Sequence, residues 1–124
     1  MDSMKIEQHF REPTLTEAEV MQRLLAADFI GREEVAHQLN GCRVRIIDDE
    51  GSLELEPSEA AKPAAVEKRI PVEGDAVDED GIHVHLLLHV VNGFVSELEV
   101  YKDDGSTIKR MPRPDDLEVV VLPP

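Results

Sequence analysis

The sequence predicts an α+β domain, with two N-terminal helices packed on a mostly antiparallel meander sheet of five to six strands. Three observations predict it. Apolar residues recur at helical spacing in Val20, Met21, Leu24 and Leu25, and again in Val35, Ala36 and Leu39. From Cys42 onward the period changes to two, beginning with Val44 and Ile46 between Arg43 and Arg45. Asn92-Gly93 then separates two alternating arms, Ile82–Val91 and Phe94–Tyr101, which is the local signature of a β-hairpin.

The elements follow in chain order. Residues 1–13 read as a loosely ordered lead-in, because Pro13 turns Glu12 away from helix. Thr16 with Glu19 three residues later makes a capping box, so the first helix is placed at about 17–28. Phe29-Ile30-Gly31 breaks it. A second helix over 32–39 is capped by Gly41. Cys42–Ile46 and Ser52–Glu56 form two strands about the turn Asp49-Glu50-Gly51. Residues 57–65 have the composition of a mobile loop. Val66–Val72 reads as a third strand, confined by Pro71 to an edge or a bulge. Residues 73–81, EGDAVDEDG, read as a second mobile loop, and the hairpin follows. Asp103-Asp104-Gly105 turns the chain, Ile108 begins a short sixth strand, and Leu117–Leu122 is β-prone enough to pair with an open edge. The chain holds three Phe, one Tyr and no Trp, so its core is aliphatic.

The hairpin decides which side chains share a face. A two-residue turn would pair Val91 with Phe94 and set Glu97 and Glu99 among the apolar residues of the first arm. A three-residue loop pairs Val90 with Phe94 instead, with Gly93 left-handed in a bulge. That register gathers Ile82, Val84, Leu86, Leu88 and Val90 with Phe94, Ser96, Leu98 and Val100. It is preferred because an unpaired buried carboxylate costs several kcal/mol. The opposite face then carries His83, His85 and His89 with Glu97, Glu99 and Tyr101. His85 falls opposite Glu99, His83 opposite Tyr101, and His89 diagonal to Glu97. Which of the two faces the helices cover is left open.

A chain of 124 residues is expected to form one domain, residues 1–124, with a core that needs neither disulfide nor metal. A single cysteine, Cys42, excludes an internal disulfide. No apolar run resembles a signal peptide or a membrane span, so a cytoplasmic location is expected. The net charge of −14 argues against nucleic acid and anionic membrane as partners and favours a basic protein. Residues 48–80 carry twelve of the acids against three bases.

Among candidate sites the histidine–glutamate face stands first. Two strands can bring His83, His85 and Glu99 to one metal ion, or let an imidazole beside a carboxylate act as a general base. Neither Gly51, Gly81 nor Gly105 sits in a calcium loop with the required carboxylates. Cys42 opens a strand and reads as a buried thiol. No nucleophile elbow, phosphate loop, dinucleotide fingerprint or C-x-x-C is present, so no cofactor is expected.

The segment from Gly93 to Gly105, GFVSELEVYKDDG, followed by Ile108 and Pro112, resembles a G-x-x-x-E-L-E-x-Y-x-x-D-G-x-x-I pattern of small uncharacterised bacterial proteins. Some of these look similar to immunity-type proteins encoded beside polymorphic toxins. Arg11-Glu12-Pro13, Leu15-Thr16 and the helix pair fit the same group. The resemblance implies a bacterial origin and toxin neutralisation, and it brings no catalytic residues.

These readings predict a non-enzymatic protein-binding module, immunity-like in kind, that meets a basic partner through Asp75, Asp78, Glu79 and Asp80 together with Glu97 and Glu99. The alternative is a metal-binding protein or metal-assisted hydrolase built on His83, His85, His89 and Glu99. A dimer through the edge strand Leu117–Leu122 is a further expectation.

Overall fold

The computed structural model describes residues 6–122, so residues 1–5 of the expected lead-in lie outside it. The chain forms α1 (Leu15–Leu24), α2 (Arg32–Asn40), β1 (Arg43–Ile46), β2 (Leu53–Glu56), β3 (Val72–Val77), β4 (His83–Val91), β5 (Phe94–Lys102), a short 3-10 turn at Pro114–Asp116, and β6 (Glu118–Val121). The six strands make one sheet in the order β1-β2-β5-β4-β3-β6, and every neighbouring pair is antiparallel. The centre, β3-β4-β5, is a meander; the β1-β2 hairpin extends it on one side and β6 on the other. The α+β reading is thus correct.

The first helix starts two residues before the expected position. Thr14, not Thr16, caps it: the Thr14 hydroxyl accepts the Glu17 N–H at 3.1 Å, and the Glu17 carboxylate accepts the Thr14 N–H at 2.8 Å. Both threonines have a glutamate three residues on. The earlier box is favoured because Arg11 also grips Glu17, at 2.8 Å. The helix ends at Leu24 rather than near residue 28, and the Arg32 side chain of α2 takes the Leu25 carbonyl. Residues 7–11 run beside β1, with Arg11 bridged to Val44 and the Glu7 N–H donated to the Ile46 carbonyl.

Both helices pack on the face formed by Val44, Leu53, Leu55, Val72, Val84, Leu86, Leu88, Leu98 and Val100. Gly74 lets α1 come close, since a Cβ there would stand 3.0 Å from the Leu24 side chain and 3.2 Å from Leu117. Gln38 of α2 is buried and grips the hairpin turn, donating to the Gly93 and Lys62 carbonyls and accepting the Val95 N–H. Among the described residues no buried side-chain nitrogen or oxygen lacks a hydrogen-bond partner.

The hairpin corrects the expected register. The turn has two residues, with Asn92 at φ 53° and Gly93 at φ 85°, and Val91 faces Phe94. This is the type I′ geometry that Asn-Gly favours. The glutamates nevertheless stay out of the core, because an extra residue enters β5. Val90 faces Val95 but His89 faces Glu97, so Ser96 sits in a β-bulge. One extra residue exchanges the faces of a strand. Val95 is therefore buried beside Val90, Phe94 is half-buried, and Leu98 and Val100 point inward. From Glu97 to Tyr101 the expected faces survive, but Phe94 and Val95 exchange theirs, and the pairs move: His85 faces Tyr101 rather than Glu99, and His89 faces Glu97 directly. The His83 carbonyl accepts the Asp103 N–H, one strand end beyond the expected Tyr101.

The third strand also moves. It covers 72–77, not 66–72, so most of the expected acidic loop 73–81 is strand. Pro71 has no N–H to give a ladder, and the strand begins at the next residue. Val72, Gly74 and Ala76 then alternate inward, which leaves Glu73 and Asp75 facing out. Ile108 begins no strand. The next two backbone N–H groups, of Lys109 and Arg110, are donated to the Asp78 carboxylate instead.

Candidate functional site

With the helices on the apolar face, the other face of the sheet stands open to solvent. Alternation puts Glu54 and Glu56 of β2, Glu97, Glu99 and Tyr101 of β5, His83, His85, Leu87 and His89 of β4, Glu73 and Asp75 of β3, and Glu118 of β6 on it. Arg43 and Arg45 of β1 lie at one margin. His83, Tyr101, Val77 and Val120 are exposed, while His85 and the glutamates of β5 are half-buried.

Each histidine of β4 meets a carboxylate from a neighbouring strand. His83 Nδ1 is 2.7 Å from Asp75 Oδ1. His85 is held at both ring nitrogens, Nδ1 at 2.6 Å from Glu73 and Nε2 at 2.7 Å from Asp103. Burial opposes charge on His85, but these two hydrogen bonds outweigh it and raise its pKa above the usual imidazole value. Tyr101 stacks on the same ring, centroid to centroid at 4.8 Å. Burial, followed by the surrounding Glu73, Asp103, Glu99 and Asp75, pushes the Tyr101 hydroxyl above its ordinary pKa. His89 lies deepest, 8% exposed. Its Nε2 is 2.8 Å from Glu99 Oε1, and its Nδ1 accepts the Arg69 Nε–H at 2.9 Å.

The expected trio His83, His85 and Glu99 is not brought together, because Glu99 turns to His89. The cluster that does form is His89, Glu97 and Glu99, with donor atoms within 4.8 Å of one another.

The acidic loop divides. Asp75 stands on the open sheet. Asp78 points the other way and is buried against the Lys102 ammonium at 2.9 Å, while Asp80 reaches the same ammonium at 2.6 Å. Burial alone would raise the Asp78 pKa; the Lys102 ammonium and the N–H groups of Glu79, Lys109 and Arg110 hold it far below the carboxylate range instead. Asp78 and Asp80 therefore tie the β3-β4 turn to residues 107–110, and Glu79 is the loop acid that is exposed and whose carboxylate has no partner among the described residues. Sequence reasoning missed Lys102, although its position gave a signal: a lysine in register with Leu98 and Val100 points inward and needs an acid. Gln38, one residue before Leu39 on the inward stripe of α2, gave a similar signal. Arg69 gave none.

Cys42 is buried, and burial pushes its thiol up to about 11, which leaves it unreactive at neutral pH. A cleft of about 440 Å³ between α2 and residues 58–62 holds Glu33, His37, Gln38 and Lys62. Gln38 is spent on the hairpin.

A family model described as a domain of unknown function (DUF6984) matches residues 10–112. The chain belongs to that family. No curated protein and no solved structure matches it. The DUF6984 segment takes in both helices and β1 to β5, and with them every histidine–carboxylate pair of the open face; β6 lies beyond it. No helix among the described residues is long and apolar enough to cross a membrane.

Proposed function

We propose that this DUF6984 protein is a non-enzymatic binding module that docks a basic protein on the open face of its sheet. One observation carries the reading: the helices leave a whole sheet face uncovered, and that face bears carboxylates from β2, β3, β5 and β6. A flat face with a net charge of one sign steers an oppositely charged partner and fixes its orientation. Tyr101 and Leu87 supply apolar contact at the centre, in keeping with the aromatic enrichment of protein interfaces. In the immunity-like form of this reading the partner is a toxic nuclease, whose nucleic-acid groove carries the matching positive charge. A lone buried thiol fits action in the cytoplasm.

The test is capture from a lysate of the cells that encode the protein, with two charge-reversed controls. A basic partner held by the wild type is lost with Glu97→Lys/Glu99→Lys and retained with Glu19→Lys/Glu33→Lys on the helices. Its binding weakens as salt rises. A captured partner that is acidic, or that is lost equally with the helix variant, contradicts the reading.

A further inference from the structure

We propose that His89, Glu97 and Glu99 form a site for one divalent transition-metal ion at the centre of the open face. The donors come from adjacent strands, with His89 of β4 opposite Glu97 of β5 and Glu99 two residues on, and lie within 4.8 Å of one another. Two ligands that share an ion with bonds of about 2.1 Å sit roughly 3.0–3.4 Å apart. The 2.8 Å between His89 Nε2 and Glu99 Oε1 is close to that spacing, and a side-chain rotation of Glu97 supplies the third ligand.

Glu97 provides a second, independent reason. Its carboxylate has no hydrogen bond or ion pair with another described residue, yet it faces Glu54 across β2 and stands two residues from Glu99. Glu54 is already taken by Arg45 at 2.6 Å. Like charges directly opposite in a sheet destabilise it. A cation between Glu97, Glu99 and His89 removes that repulsion. The donor set of one imidazole nitrogen and two carboxylate oxygens suits Zn²⁺, Fe²⁺ or Mn²⁺ better than the all-oxygen preference of Ca²⁺ or Mg²⁺.

Arg69 gives the site a signature. Without metal, its Nε–H is donated to His89 Nδ1, so the ring proton sits on Nε2 and is donated to Glu99. An ion at Nε2 needs the electron pair that the Nε2–H bond now holds. The Nε2 proton leaves, one proton is taken up at Nδ1, and a neutral ring stays neutral. The Nδ1–H then confronts the Arg69 N–H, so the exposed Arg69 side chain must turn away. Metal and Arg69 therefore require opposite tautomers of His89.

The proposal is read on the protein alone and stands apart from the docking of a partner. The experiment is a calorimetric titration of untagged, chelator-stripped protein with Zn²⁺ and with Mn²⁺. One equivalent binds. Glu97→Gln/Glu99→Gln weakens it at least about 100-fold, Arg69→Met tightens it about tenfold, and His83→Asn/His85→Asn changes it less than about threefold. Ca²⁺ at the same concentration gives no stoichiometric binding. These variants avoid replacing His89, whose loss from the floor of the face would confound folding with binding. The proposal is overturned if no equivalent of either ion binds, if the double glutamine variant binds as the wild type does, or if the His83/His85 variant loses the metal.

Discussion

The two faces of the sheet use acidic side chains in opposite ways. On the helix side Asp78 is buried, its charge matched by Lys102 and by three backbone N–H groups. On the open side Glu97 is half-buried with like-charged neighbours, and the histidines of β4 meet their carboxylates at the solvent boundary. The first arrangement spends its charge inside the fold. The second leaves charge available outside it. Sequence position alone does not separate the two, since Asp75 and Asp78 are three residues apart.

The largest expected effect breaks the buried side. Asp78→Ala strands the Lys102 ammonium with Asp80 alone and frees two backbone N–H groups of residues 109–110. Breaking a buried pair by removing one partner costs enough to lower the melting temperature by about 10–20 °C. The neighbouring exposed Glu79→Ala shifts it by less than about 2 °C. Equal shifts in calorimetry would erase the distinction between the faces. Because Asp78 is depressed, its contribution is present above the ordinary carboxylate pKa and is lost as pH falls through the folded value.

Next comes the helix cap. Thr14→Ala destabilises by about 1 kcal/mol, and Thr16→Ala by no more than a few tenths. Urea denaturation with the opposite ranking would restore the cap to Thr16.

The open side gives smaller effects. The His85 pKa is raised in the folded protein. Protonated His85 therefore stabilises the fold fully below about pH 6.5, and the contribution is lost as pH rises through the folded value. The deficit of His85→Asn in urea is larger at pH 6 than at pH 9, and stays under about 1 kcal/mol because the pair is at the surface. A deficit that does not change with pH counts against the pairing with Glu73 and Asp103. Smallest is Glu97→Gln in the presence of chelator and low salt. It stabilises by about 0.2–0.5 kcal/mol, because it removes the repulsion with Glu54. Destabilisation there would mean that Glu97 has a partner after all.

Much of this was legible in the sequence. Periodicity located the helices and the hairpin, and the rule against burying Glu97 and Glu99 assigned the faces of β4 and β5. The same rule chose the wrong device. It invoked a three-residue loop, whereas the chain keeps the Asn-Gly turn and inserts Ser96 further along. Both place Leu98 and Val100 inward and Glu97, Glu99 and Tyr101 outward, so alternation from Glu97 onward cannot separate them; only Phe94 and Val95 change faces, and the pairs that make the site hang on the difference. Two residues of slip decide whether Glu99 reaches His85 or His89. Arg69 was invisible for another reason: it enters the site from an irregular segment, where no period constrains a side chain.

The central claim is that the open face is where a basic partner docks. The most direct measurement is a map of amide chemical-shift changes in the isotope-labelled protein, titrated at low salt with a hexa-arginine peptide as probe. The account predicts changes that centre on His85, His89, Glu97, Glu99 and Tyr101 and fade as salt is added. Changes centred on the acidic first turn of α2, at Glu33 and Glu34, or no saturable change at all, would contradict it.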